Sequence, residues 1–389
     1  MPSSIREILN EFPVNLDDTY ERILHGIPKQ LRRYAHRLFR RMVAASRPFR
    51  VEELAEIITM ESGWARALSV VVKGRRPANP VQAVLSACPG LISIIIDEKG
   101  SKIVQFSHVS VKEFLMSDRI QTMDVVKISR YHIALEPAHT IMARLCLKVL
   151  LQLDENVDKT RLVKSPLALY AAQHWVDHAK FGNVASRIQG SMERLFNPKK
   201  PHFRTWIWLR SANKRFMENI DERPPPTELT PLYYAALFGF GDLARRLIVT
   251  HRENVDASFH KWTPLHVASE GGHVGAVRVL LNHGARMDAQ LDDNRTPLDL
   301  ASRYGHLKVV QLFLERSAAS NSKRRTDLTS SLCSAAKSGH IEVVRVFLDH
   351  GVEVNIRDER SERTWSPYEA AKRYGHHDVA RLLRDHGGK

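Results

Sequence analysis

His174 and His178 stand four apart in a stretch with helical periodicity, a spacing that can put two imidazoles on one metal ion. A metalloprotease built this way carries a Glu after the first His as its base; here that position is Trp175, and no third ligand stands out. Ser107 and His108 pair a hydroxyl with a base, but no Asp or Glu is placed by motif to orient the ring, so His108 reads as a structural residue at the end of a hairpin. Lipase-type chemistry needs a Gly-x-Ser-x-Gly turn, and the chain has none. A phosphate-cradling loop ends in Gly-Lys-Ser/Thr, whereas the only Gly-Lys pair is Gly388-Lys389. Cys88, Cys146 and Cys333 are odd in number, far apart and without a CxxC pairing, and read as reduced thiols. The expectation is therefore a chain without a catalytic constellation, metal or cofactor, which is not an enzyme and acts by recognition.

Its 389 residues, 43% of them hydrophobic, suffice for two or three cored units. The longest apolar run, Leu91 to Ile96 broken by Ser93, is far short of the roughly 20 residues of a membrane-spanning helix. Met1 to Asn15 mixes Arg6, Glu7 and Glu11 with apolar positions and lacks the form of a secretory signal. These features predict an intracellular protein, cytoplasmic, with a nuclear location left open. The formal net charge is +15, of which residues 1–130 hold 20 basic and 14 acidic side chains, 131–226 hold 15 and 9, and 227–389 hold 23 and 20. A positive surface attracts nucleic acid, acidic proteins or anionic membranes through the same field, so the sign alone does not choose a partner.

Self-comparison of the second half is more specific. Thr230-Pro231-Leu232, Thr263-Pro264-Leu265 and Thr296-Pro297-Leu298 recur every 33 residues, each followed nine residues after the Thr by Gly239, Gly272 or Gly305. Ser330-Ser331-Leu332 and Ser366-Pro367-Tyr368 are weaker copies leading to Gly339-His340 and Gly375-His376, which makes five repeats. The Thr hydroxyl can cap a helix that Pro begins without losing a hydrogen bond, and Gly ends it in the left-handed region. Apolar positions at helical spacing then mark a second helix, as in Val274–Leu281 and Leu307–Leu314. This period and pattern resemble ankyrin repeats, and Lys261 to Ala289 is similar to a near-consensus unit. His266 fills a slot that normally hydrogen-bonds within such an array. After the third repeat, Glu315-Arg-Ser-Ala318 replaces the Asn-His-Gly-Ala pattern, which predicts an irregular junction around Lys323-Arg324-Arg325, a basic run readable as an import signal or as a solvated loop.

In the first half, Leu31, Tyr34, Ala35, Leu38, Phe39, Met42 and Val43 fall on one helical face, while Lys29, Arg32, Arg33, His36, Arg37, Arg40 and Arg41 fall on the other. A third helix is expected over Val51–Ile58, a short one over Val81–Cys88, and a hairpin from Gly90–Asp97 to Lys102–Ser107. Three helices closed by a hairpin describe a winged helix. Ile133–Leu153, Pro166–Phe181, Val184–Phe196 and Phe203–Phe216 read as further helices, and Glu222-Arg-Pro-Pro-Pro-Thr227 as a boundary. The expected organisation is mainly α: a winged-helix domain over 1–120, a helical linker domain over 121–222, and an ankyrin α-solenoid over 228–389.

The segments Leu16–Leu24, Arg47–Ala55 and especially Phe106-Ser-His-Val-Ser-Val-Lys-Glu-Phe-Leu115 resemble the winged-helix region, labelled after a GPI inositol-deacylase, that follows the NACHT module in fungal NOD-like ankyrin proteins. Leu169–Ala179 is similar to the helical segment that comes next in that family. With no phosphate loop, the sequence looks like the sensor half of such a protein, encoded alone or cut from a longer chain. The resemblance implies a non-catalytic protein–protein interaction module of a signalling protein, with the ankyrin concave face as the partner-binding surface.

Turn tips and the inner face of each first helix are the positions free of core duty in such arrays. Here they hold Phe259, His260, Trp262 and Glu270 in the second repeat, Asp292, Asp293, Arg295, Arg303 and Tyr304 in the third, then Lys337, Trp365, Arg373 and Tyr374. Aromatic and Arg side chains often dominate interfaces, although Phe259, Trp262 and Trp365 serve packing equally well, and tyrosines are ordinary before Gly-His. The alternative is a winged-helix nucleic-acid-binding protein using the basic N-terminal face; against it, the groove-reading helix would present Glu52, Glu53 and Glu56.

Overall fold

The computed structural model describes residues 16–29, 31–60, 90–98, 100–122, 126–154, 157, 162, 165–211, 230–319, 326–355 and 365–389. The helix expected over Val81–Cys88, the Glu222–Thr227 boundary and the Lys323-Arg324-Arg325 run lie outside these residues. Contacts divide the chain into two compact units, Met1–Leu195 with Arg204–Arg223, and Phe196–Phe203 with Pro224–Lys389. The division expected at residue 120 falls inside the first of them.

The first unit opens with α1 (Leu16–Gly26), α2 (Arg32–Ala44), β1 (Phe49–Arg50) and α3 (Val51–Thr59), followed by β2 (Ile92–Ile96), β3 (Lys102–Phe106) and α4 (Val109–Met116). The strands form an antiparallel sheet in the order β1-β3-β2, with Ile94 opposite Val104 in the hairpin and Phe49 opposite Val104 on the other side. Two residues are too few to leave a periodic signal, so β1 escaped the sequence reading; Phe49 is nevertheless buried. The conspicuous Ser-Val-Lys-Glu-Phe-Leu string is α4, which buries Val111, Phe114 and Leu115. His108 is its N-cap: Nδ1 accepts the Ser110 N–H at 3.2 Å, and the Ser110 hydroxyl lies 2.6 Å from the same nitrogen.

Short helices α5 (Asp118–Thr122) and α6 (Val126–Ser129) lead to α7 (Leu135–Leu150), α8 (Leu167–Ala179), α9 (Val184–Arg187), α10 (Gln189–Leu195) and α11 (His202–Ser211). α7 packs along α8 and against α2, while α8 packs against α3. Trp175 and Trp206 meet edge to face, 5.2 Å apart, and the Trp206 Nε1–H donates to the Ala172 carbonyl at 3.0 Å.

The face of α2 predicted to be apolar is buried, but the opposite face is not a free basic stripe. Arg41 is only 8% exposed and donates to the Arg37 carbonyl, and Arg32 donates to the carbonyls of Ile27 and His25. Arg33 is exposed, while Arg32, His36, Arg37 and Arg40 are half-buried, as long stems that cover apolar surface and keep the charged head in water would be.

The second unit is a stack of helix pairs. Among the described residues these are α12 (Pro231–Leu237) with α13 (Gly241–His251), α14 (Pro264–Glu270) with α15 (Val274–Asn282), α16 (Pro297–Arg303) with α17 (Leu307–Ala319), α18 (Thr326–Ser338) with α19 (Ile341–Asp349), and α20 (Pro367–Arg373) with α21 (His377–Asp385). First helices pack on first helices and second on second along the stack. Each short helix face buries its apolar residues against the next pair, so no repeat has a core of its own.

Thr230, Thr263, Thr296 and Ser366 cap their helices, with Pro at the first turn. The fourth pair departs from the expected start at Ser330. Its slot for Pro is held by Ser331, and α18 already begins at Thr326. For the complementary reason α17 runs on to Ala319: the Gly that ends α15 at position 284, with φ of +86°, is replaced by Ser317.

Candidate functional site

His174 and His178 do not converge. His178 is fully buried, with Nδ1 3.0 Å from His139 Nδ1 and Nε2 3.1 Å from the Tyr170 hydroxyl, whereas His174 faces Asp177 at 3.1 Å. Burial first, then His139 and His174, push His178 down to about 3; burial likewise takes His266 down to about 4 in the second unit. His266 is also fully buried, with Nδ1 2.8 Å from the Thr263 hydroxyl.

An unfolded imidazole takes its proton near pH 6.5 and these two resist it until about pH 3 to 4, so over that window the unfolded state binds more protons and stability decreases as the pH is lowered. Each contributes a loss of up to about 1.4 kcal/mol per pH unit. Urea unfolding at pH 7 and pH 5 should show lower midpoints for both units at pH 5, and His266→Gln should flatten the dependence of the repeat unit; equal midpoints would contradict the assignment.

The surface residues of the array form two groups. The first is a finger at the tip of the second repeat. Phe259 and Trp262 exchange backbone hydrogen bonds of 3.1 and 2.9 Å around a two-residue turn, His260-Lys261, with φ of +46° and +62°. Neither residue is Gly, so the turn holds two side chains out at a conformational cost of about 1–3 kcal/mol each. Phe259 and Trp262 are half-buried, Trp262 edge-on to His266 at 6.0 Å, while His260 is exposed. Lys261, which the sequence reading passed over, bridges to Asp292 on the next finger at 2.8 Å; there Asp293 takes the Arg295 Nε–H at 2.5 Å. The charges of the fingers thus neutralise one another.

The second group lies at the ends of the first helices. Glu270, Arg303, Lys337 and Arg373 each stand two residues before a Gly, at equivalent positions of successive repeats. Tyr304 and Tyr374 follow two of them and are 47% and 48% exposed. The Lys337 ammonium sits 5.0 Å from the Tyr374 ring centre, and the Arg373 guanidinium 5.3 Å from that of half-buried Trp365. Trp365 is covered by its own chain on that face.

These ends are held by a ladder that sequence reading missed. His273 Nε2 lies 3.0 Å from the Leu237 carbonyl, His306 2.7 Å from that of Glu270, His340 2.9 Å from that of Arg303, and His376 3.1 Å from that of Lys337. The Gly-His recurrence was its visible signal, but the partner lies 36 to 39 residues away in the preceding repeat. Asp299, in the slot that His266 fills one repeat earlier, accepts from the Thr296 N–H at 2.8 Å and from the Ser331 hydroxyl of the next repeat at 2.6 Å.

A profile described as Ankyrin repeats (3 copies) matches residues 208–291 and 232–326, and one described as Ankyrin repeat matches 329–359. The C-terminal region is an ankyrin-repeat array in a mainly helical chain. The chain is 30% identical over 298 residues to Azaphilone pigments biosynthesis cluster protein L of Monascus ruber, covering 71% of this chain and 61% of that protein's length. It is 34% identical over 65 residues, 16% of this chain and 5% of the relative, to Alpha-latrocrustotoxin-Lt1a of Latrodectus tredecimguttatus. Among the described residues no helix is long and apolar enough to cross a membrane.

Proposed function

We propose that the chain is a non-catalytic protein-binding module of a NOD-like signalling protein, with the ankyrin array as its sensing surface. The observation that carries this is the second-repeat finger, where non-glycine residues at positive φ hold His260 and Lys261 at a preformed tip beside a second finger. Strain kept at an exposed tip contributes nothing to a core and suits a surface ordered in advance of its partner. The arrangement of α1–α3 with the hairpin supports the winged-helix resemblance. The Monascus ruber relative is named for a pigment biosynthesis cluster, and a binding module acting beside biosynthetic enzymes is compatible with that name.

Nucleic-acid binding by the first unit is the weaker reading. α3, the helix that would enter a groove, spends its acidic side chains on its own unit: Glu56 takes the Ser165 hydroxyl at 2.8 Å and the Leu167 N–H at 2.7 Å, anchoring the start of α8. A helix packed in this way does not offer that face to a duplex.

Trp262→Ala with Arg295→Ala should abolish affinity capture of a protein partner from lysate of the source cells while the melting temperature stays within a few degrees of the parent. A matching fall in stability would make these residues packing elements, and unchanged capture would remove the fingers from the interface.

A further inference from the structure

We infer that the first-helix ends of the third, fourth and fifth repeats form a row that takes an extended acidic peptide, its carboxylates on Arg303, Lys337 and Arg373 and its apolar side chains on Tyr304 and Tyr374. This rests on the reading of the array as a protein-binding surface and names its partner's chemistry. The equivalent positions read Leu237, Glu270, Arg303, Lys337 and Arg373 along the stack, so three cations succeed one another after one acidic residue.

Their surroundings distinguish them from the finger charges. Lys261 has Asp292 and Arg295 has Asp293, whereas among the described residues Arg303, Lys337 and Arg373 form no ion pair; two of them rest on aromatic rings instead. A cation over a ring keeps its charge available to a carboxylate while its stem is held in place. The backbone at Arg303 and Lys337 is tied down as well, since the ladder histidines of the following repeat approach their carbonyls at 2.9 and 3.1 Å. Two of the three cations thus rest on rings before binding, which removes part of the ordering cost.

Glu270 at the same position one repeat earlier repels a further carboxylate, so the acidic stretch of the partner spans the last three repeats and ends there. A peptide fits better than a polyphosphate chain, because residues 227–389 hold 23 basic against 20 acidic side chains and lack the broad positive field that nucleic acid requires.

The test is fluorescence anisotropy on the full chain with a labelled peptide of glutamate interspersed with leucine, a lysine-leucine counterpart and an oligothymidylate. The parent should prefer the acidic peptide by about tenfold or more, with affinity falling as salt rises. The triple variant Arg303→Glu, Lys337→Glu, Arg373→Glu should lose that binding and gain preference for the lysine peptide, a gain that misfolding cannot produce. Binding of the acidic peptide unchanged by the triple variant, no binding by the parent, or tighter binding of oligothymidylate would each overturn the row. If the triple variant still captures the partner that the Trp262→Ala, Arg295→Ala variant loses, the row falls and the interaction module stands.

Discussion

Arg47→Met is expected to destabilise the N-terminal unit by about 3 kcal/mol or more, and Glu53→Gln by clearly less. Arg47 grips Glu53 with two hydrogen bonds of 2.8 and 2.6 Å, and Glu53 also accepts the Arg50 N–H at 2.8 Å where α3 begins. The two partners are not equally placed: the Glu53 side chain is 2% exposed and the Arg47 side chain 32%. Removing Arg47 strands a buried carboxylate on a single backbone N–H, while neutralising Glu53 leaves a guanidinium that reaches water and lies 5.0 Å from the centre of the Tyr170 ring. Urea unfolding followed by the fluorescence of buried Trp175 and Trp206 measures both. The double variant Arg47→Met, Glu53→Gln should recover much of the loss, since no charge is then left unpaired. Equal effects of the two single changes would mean that burial does not set the cost.

Gly305→Ala should lower the stability of the repeat unit by about 2–4 kcal/mol, more than Ala for Gly costs at an ordinary turn. Gly305 has φ of +73°, and a Cβ there would meet His340 Nδ1 at 2.6 Å, so the ring must leave the Arg303 carbonyl it approaches. The penalty combines backbone strain with the loss of a hydrogen bond between repeats. His340→Ala alone should cost only the hydrogen bond and its packing. In the double variant the clash disappears, so the pair should be less than additive, which denaturation of the four proteins of the cycle checks. Additive effects would show that ring and glycine are not coupled. Because a solenoid depends on its neighbour interfaces, a loosened junction in the middle repeat should also broaden the unfolding transition.

The array was legible where one residue type answers to one local requirement. Thr-Pro at a helix start and Gly at its end act within four residues of chain, so Thr263-Pro264 and Gly272 announce themselves without reference to anything distant. Where a local signal is missing the boundaries shifted, as at Thr326 and Ala319, since no Pro or Gly stands there to fix the helix end. The candidate surface was found residue by residue, but its pairings were not: Lys261 with Asp292, Lys337 with Tyr374 and Arg373 with Trp365 join residues of different repeats or opposite ends of one.

By itself, then, the amino-acid order determined the period of the repeats, the helix caps, the apolar face of α2 and the side chains offered at tips and helix ends, because all of these follow from interactions along a few turns of chain. Only the tertiary structure decided that Arg41 is buried, that Glu56 anchors α8, that His178 meets His139 and Tyr170, and that the fingers cancel their own charge while the helix-end row does not. Those outcomes depend on which distant groups share a dielectric and a hydrogen-bond distance, and such proximity exists only once the repeats have stacked and the helices have packed.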